Sequence, residues 1–356
     1  MAKIGIVLLH GFYSSPLFMK SVEREFNKTK LFDQVLNLSL YGPRLKILSD
    51  SQFVSTPIIN IKGNDINLDN TLIENVLGDL ISKLNENISH LILVGHSLGG
   101  LVWRALYKSV IAENKDNWLG RKSPKISCLI QLASPNQGTK LTNIAIANIV
   151  DNIHSMFYLR RVGLSNEIIK KIKNRVGLNL KSITKFEIEG DSTQIKQLRP
   201  DSTFINWLNE EPNYVKDFPH YRMIGTRNSF YLTNYAWNKI DNITKIMDLN
   251  DDKDIDIIEI ENELKTNDNV NEEISDESIL KLIKSTFVEK KVIPNDGVVS
   301  IEDSELDGSI LIELDGLENK VSHHNMCLWF LPFNPYSTIK KKILEVINIE
   351  IDKIKR

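Results

Sequence analysis

Short apolar runs alternate with helix-period stripes over the first half of the chain. Residues 4–9 (Ile-Gly-Ile-Val-Leu-Leu), 91–94 and 126–132 are almost uninterrupted apolar stretches. A strand of this kind is buried on both faces, as in a parallel sheet covered by helices. Residues 35–40, 221–225 and 309–314 add further strands, the last of them expected to close the sheet. Elsewhere the period becomes helical: Phe18, Met19, Val22 and Phe26; then Leu72, Ile73, Val76, Leu77, Leu80, Ile81 and Leu84; then Trp103, Leu106 and Val110. Thr71 and Glu74 have capping-box spacing ahead of the second stripe. Strand and helix patterns in alternation predict an α/β fold with a mostly parallel, doubly wound sheet.

Three stretches break the alternation. Residues 42–70 hold Pro43, Pro57 and Gly63 among many polar residues and predict a long connection near the mouth of a site. Residues 141–185 lose the strand pattern; Ile168, Ile169, Ile172 and Val176 stripe a helix capped by Ser165, with Met156, Phe157 and Tyr158 adding apolar bulk. This helical insertion reads either as a lid over an apolar pocket or as a plain packing layer. From 160 to 185 it carries eight basic residues against the single acid Glu167. A basic amphipathic lid would favour peripheral contact with an anionic membrane surface, and a solvated helix face is the plainer alternative. Residues 248–280 form the third stretch. Thirteen acids face two lysines between 248 and 277, with no aromatic residue, so an acidic, partly flexible surface insertion is expected rather than a separate domain. The regular spacing and glycine of a calcium loop are missing there. The whole of 1–356 is thus read as one domain with two insertions.

Composition narrows the function classes. At 42% hydrophobic content, 356 residues can bury a large core, and a formal net charge of −2 points to no nucleic-acid partner. Cys128 and Cys327 are the only cysteines, too few for a disulfide framework and without C-x-x-C spacing. Cys128 lies in an apolar run and reads as core. The N-terminal apolar run is too short for a signal core and leads straight into a motif, and no stretch approaches the roughly 20 apolar residues that span a bilayer. Cytoplasmic residence is the expectation, with export by a route that needs no cleaved signal left open.

The chemistry centres on Gly95-His96-Ser97-Leu98-Gly99, which follows the apolar run 91–94 and precedes the Trp103 stripe. Strand, G-x-S-x-G turn and helix together point a serine hydroxyl out of the sheet at a strained apex. Ser97 is therefore the candidate nucleophile, and the Leu98 N–H at the start of the helix is the nearest oxyanion donor. The extended form GHSLGGLVWRA resembles the α/β-hydrolase serine esterases and lipases. The resemblance implies their fold and the triad order serine, acid, histidine. It also implies that His10-Gly11-Phe12, just after the first apolar run, supplies the second oxyanion donor from the Phe12 N–H, with His10 bracing the loop. LASPNQGT (132–139) resembles their T-P-H-x-G segment, with Ser134 and Asn136 where Thr and His are common, and is assigned to the pocket floor. Residues 198–209 resemble the S-x-F-L-x-x-L-N segment of lipases with a GPI-inositol-deacylase-like or bacterial-lipase-like core.

The same resemblance supplies the rest of a triad. Asn295-Asp296-Gly297-Val298-Val299-Ser300 is similar to the N-D-G-L-V segment carrying the orienting acid, which makes Asp296 the candidate. Val321-Ser322-His323-His324-Asn325-Met326-Cys327 is similar to the H-x-x-M-C pattern of intracellular relatives. Met326 and Cys327 align if His323 is the base; His324 is the alternative. Cys327 is then expected as a packed residue of the last helix. His90, His96, His154 and His220 lack the position, and His96 is read as supporting the elbow.

Ser97, Asp296 and His323 in this order imply a serine hydrolase that cleaves a carboxylic ester through an acyl-enzyme. A lipid-like substrate, as for a lipase or phospholipase, is the first reading. A thioesterase or small-molecule esterase would use the same triad, and a non-catalytic α/β-hydrolase scaffold that binds a ligand is a different class of alternative. The chemistry requires no organic cofactor or metal.

Overall fold

The computed structural model describes residues 2–12, 14, 16–41, 56–63, 65–139, 193–210, 215–226, 299–318, 321, 323, 325–327 and 336–356. The insertion at 141–185, the acidic stretch at 248–280, Asp296 and His324 lie outside the described residues.

Six parallel strands form the main sheet: β1 (Ile4–Leu9), β2 (Gln34–Leu38), β5 (His90–His96), β6 (Lys125–Leu132), β7 (His220–Met223) and β8 (Ile310–Leu311). Their order across the sheet is β2-β1-β5-β6-β7-β8. The chain therefore winds outward from β1 to β2, returns to place β5 on the other side of β1, and winds outward again through β6, β7 and β8. The reversal falls between β1 and β5, and crevices at such switch points, beyond the carboxyl ends of the strands, are where open α/β sheets bind ligands.

Burial on both faces accounts for the uninterrupted apolar runs. Val7, Leu9, Leu91 and Leu93 pack on one face with α2 (Leu72–Lys83), α3 (Leu98–Leu106) and α5 (Thr203–Asn209). Ile6, Leu8, Ile92 and Val94 pack on the other with α1 (Lys20–Thr29) and α6 (Tyr336–Lys355). The α6 contribution is a four-residue stripe at i, i+4 spacing, Ile339, Ile343, Ile347 and Ile351, all buried. Beside it the Tyr221 hydroxyl donates to the Glu350 carboxylate at 2.7 Å, which also pairs with Lys353. No helix among the described residues is long and apolar enough to cross a membrane.

Several local expectations shift. Residues 35–40 contribute the strand Gln34–Leu38, residues 221–225 give His220–Met223, and the strand expected at 309–314 is reduced to Ile310–Leu311 at the sheet's described edge. The connection expected at 42–70 contains a small antiparallel hairpin, β3 (Asn60–Lys62) with β4 (Asp65–Asn67), which polar residues without a long apolar run did not signal. Thr71 does cap α2, its hydroxyl accepting from the Glu74 N–H at 3.2 Å. The Glu74 carboxylate, however, reaches back to the N–H of Asn70, one residue before the cap. The Trp103 helix stops at Leu106 and widens into a π turn over Tyr107–Ile111, where Ala112 N–H bonds the Tyr107 carbonyl. Cys327 is buried, but in a 3-10 turn (Asn325–Cys327) that precedes α6 rather than in the last helix. Residues 193–198 form the short helix α4, which precedes α5. The α5 start is capped by the Ser202 hydroxyl accepting from Ile205 N–H at 3.1 Å.

Candidate active site

The elbow is built by steric necessity. Ser97 adopts φ 52° and ψ −123°, a conformation rare for a residue with a side chain, at the junction of β5 and α3. Strain of this kind costs about 1–3 kcal/mol and persists only where the surroundings over-determine it. The surroundings do so here. The Ser97 N–H is held by the Leu132 carbonyl of β6 at 2.8 Å, and its carbonyl accepts from Gly100 N–H at 3.1 Å. A Cβ on Gly95 would lie 2.5 Å from Gly100 Cα, and one on Gly99 2.5 Å from the Leu9 carbonyl oxygen. Only glycine fits on either side of the serine, because strand, helix and the β1 terminus converge there. Trp103 locks the start of the helix to the strand, its indole N–H donating to the Val94 carbonyl at 3.1 Å. Leu98 opens α3, so its N–H belongs to the first helical turn, where backbone donors have no partner within the helix. A parallel sheet carrying this elbow on a central strand beside the switch point is the α/β-hydrolase arrangement.

The β1 terminus closes against the serine. A Cβ on Gly11 would sit 2.9 Å from Ser97 Cβ and 3.0 Å from His96 Nδ1, so the Gly11 backbone lies directly on the elbow. Phe12 follows in the same turn, half-buried, with its ring against the α2/α3 side of the core. His10 fixes the turn from inside. Its Nδ1 donates to the Gly11 carbonyl at 2.9 Å while Nε2 accepts from Leu40 N–H at 3.1 Å. That pair of partners assigns the neutral ring with its proton on Nδ1, and burial lowers the pKa to about 4. With the Nε2 lone pair occupied, His10 braces and does not act as a base.

His323 reaches the same place from the far end of the chain. Its residue is buried, its ring centroid is 4.7 Å from that of His96, and its carbonyl accepts from His96 Nε2–H at 2.9 Å. Ser97 and His323 are thus joined through the residue preceding the serine. The loop carrying His323 is seated by further contacts. Val321 packs so tightly on Gly225, just beyond β7, that a Cβ there would lie 2.6 Å from the Val321 carbonyl carbon. Thr226 N–H bonds the Glu318 carbonyl at 2.7 Å. After the histidine, Met326 and Cys327 enter the core, and the Ser21 hydroxyl of α1 donates to the Cys327 carbonyl. Burial pushes the Cys327 thiol well above its usual pKa, which removes it as a nucleophile. The same holds for Cys128.

Behind the elbow the LASPNQGT segment does more than form a floor. Ala133 turns the chain with φ 54° directly after β6. Ser134 then packs against Gly100 of α3, and Asn136 turns inward. The Asn136 side-chain oxygen accepts from the fully buried Arg104 at 2.9 Å and from Gln131 at 2.8 Å, and its amide donates to the Ser304 carbonyl at 2.9 Å. Arg104 also donates to the Asn209 side chain at 2.8 Å and to the Leu208 carbonyl at 3.3 Å, while Lys108 reaches the Trp207 and Glu210 carbonyls. Two cations of α3 and its π turn therefore cap the C-terminal end of α5. Sequence reasoning missed Arg104 and Gly225. The signals were a lone guanidinium within the apolar run Leu-Val-Trp-Arg-Ala-Leu, and a glycine at the end of the expected strand 221–225.

Among solved structures, the chain is similar to a metagenomic carboxyl esterase, MGS0156, at 12% identity and a TM-score of 0.43, covering 99% of this chain and 76% of that one. It is also similar to the Bacillus licheniformis lipase BlEst2 at 12% identity and a TM-score of 0.40, covering 91% and 86%. The phospholipase PlaB from Legionella pneumophila aligns at 15% identity and a TM-score of 0.36, covering 66% and 42%. No curated protein sequence matches. One family model does, described as a domain of unknown function, DUF7379, over residues 70–258. That span runs from the start of α2 through the elbow and β7 and exceeds half of the 356 residues, so the chain belongs to the DUF7379 family.

Proposed function

We propose that this protein is a serine hydrolase that cleaves carboxylic esters through an acyl-enzyme. The observation that carries the reading is Ser97 held at positive φ on the β5 elbow, beside the strand-order reversal, with the His323 loop hydrogen-bonded to the adjacent residue. In this reading His323 takes the Ser97 proton as Oγ attacks the ester carbonyl carbon. The Leu98 and Phe12 N–H groups stabilise the oxyanion, and Asp296 orients the imidazole and stabilises its charged form. The tetrahedral intermediate collapses, the C–O bond to the alcohol breaks, and His323 returns the proton to the departing oxygen. Water, deprotonated by the same histidine, then releases the acid and restores the serine.

A lipid-like ester is the finer proposal. It is supported by the lipase-like segments at 132–139 and 198–209, both of which pack around the elbow helix through Asn136 and α5. Hydrolysis of p-nitrophenyl esters of increasing acyl length tests both levels. The expected result is turnover that rises toward longer chains in wild type and falls by at least about a thousandfold in Ser97→Ala. Turnover confined to acetate would contradict the lipid-like substrate, and turnover unchanged in Ser97→Ala would contradict the nucleophile.

A further inference from the structure

The residue between Gly95 and Ser97 has no part in the proton transfers above, yet it bonds directly to the loop that carries His323. The His96 ring is buried between three neighbours: the Phe18 ring at 4.9 Å, the His323 ring at 4.7 Å, and the Gly11 backbone, where a Cβ would come within 3.0 Å of Nδ1. Its Nε2 faces the His323 carbonyl oxygen at 2.9 Å, which requires the proton on Nε2. The titratable groups that face it are His10 and His323, and burial keeps its pKa well below the usual value; with Nε2 on the His323 carbonyl, the ring is a neutral donor.

We propose that His96 is a positioning residue that fixes the His323 main chain relative to Ser97 through its Nε2–H···O=C bond. The inference rests on the reading of Ser97 as nucleophile and His323 as base. The geometry favours it for two reasons. His96 and Ser97 share a peptide bond, so whatever His96 holds is held at a set distance from the nucleophile. The described part of the His323 segment has only a short 3-10 turn of its own, and depends on tertiary anchors for its place. A near-attack geometry is sensitive at the scale of an ångström, and losing one anchor should act on reactivity before it acts on binding.

Inactivation by an alkyl fluorophosphonate, resolved into kinact and KI, tests this in the 356-residue chain. His96→Leu fills the volume without a donor, and His96→Gln returns an amide N–H to about the position of Nε2. The expected result is a kinact lowered about tenfold or more in His96→Leu with KI unchanged, and most of that loss recovered in His96→Gln. A wild-type kinact in His96→Leu, or a Gln variant as impaired as the Leu variant, overturns the inference and leaves the nucleophile standing. Wild type unmodified at Ser97 overturns the active-site reading and this inference with it. If His96→Leu fails to fold, 15N NMR of the wild-type imidazoles decides. Nε2-protonated, neutral His96 is expected, and a proton on Nδ1 overturns the bond.

Discussion

Ser97 occupies a backbone conformation that almost any other position would relax, and the residues that prevent relaxation are mostly those without side chains. Gly11, Gly95 and Gly99 let three backbone segments meet at the serine, and Gly225 does the same for the histidine loop. Gly225→Ala isolates this effect away from the elbow. The new Cβ would overlap the Val321 carbonyl and push the loop holding His323, so ester turnover should fall by about ten- to a hundredfold while the protein stays folded. Circular dichroism beside the assay checks it, and full activity would show that the loop has slack. The buried histidines predict a pH dependence of stability. His10 is neutral in the fold with a pKa of about 4 against 6.5 when exposed, so the unfolded chain binds its proton first as the pH drops. Its contribution is whole above about pH 6.5, declines as pH falls through that value toward 4, and reaches about 2 kcal/mol of lost stability at pH 5. Urea unfolding at pH 7 and pH 5 should show His10→Asn losing about 2 kcal/mol less than wild type between the two. Equal losses would mean that His10 is not neutral in the fold.

Elements differ in how plainly they announce themselves. β1, β5 and β6 are legible because burial on both faces makes their runs mostly apolar, and α2 because its period and its Thr71 cap agree. Cys327 was assigned to the last helix because a three-residue 3-10 turn has no period to read, whereas the Ile339–Ile343–Ile347–Ile351 stripe marks where that helix lies. The end of α3 was overrun because a π turn preserves apolar spacing for another few residues. Arg104 was invisible for a different reason: its partners Asn136, Leu208 and Asn209 are distant in sequence and meet it only once β6 and α5 are in place. Its replacement tests how strongly α3 and α5 are coupled. Arg104→Met should destabilise the protein by about 2–4 kcal/mol, because the Leu208 carbonyl and the Asn209 side chain lose a buried charged donor. Thermal or urea unfolding checks this, and a change below about 0.5 kcal/mol would mean the network adds order without stability.

At the scale of the molecule, the sheet brings together what the sequence keeps apart. His10, Ser97 and His323 lie hundreds of residues from end to end, and the reversal of strand order between β1 and β5 puts the first two side by side. The elbow could be read from sequence because strand, turn and helix are contiguous there. The approach of His323 could be read only from resemblance, since the bond that seats it spans 227 positions and leaves no local pattern. The acid, Asp296, follows the same logic and lies outside the described residues, so its part in the chemistry stands on the proposal. Mass spectrometry of the fluorophosphonate-treated protein decides whether Ser97 is an activated nucleophile: one covalent adduct is expected, on the peptide containing Ser97, absent from Ser97→Ala and from His323→Ala. A folded wild-type protein that takes up no adduct, or takes it up on another residue, would contradict that role.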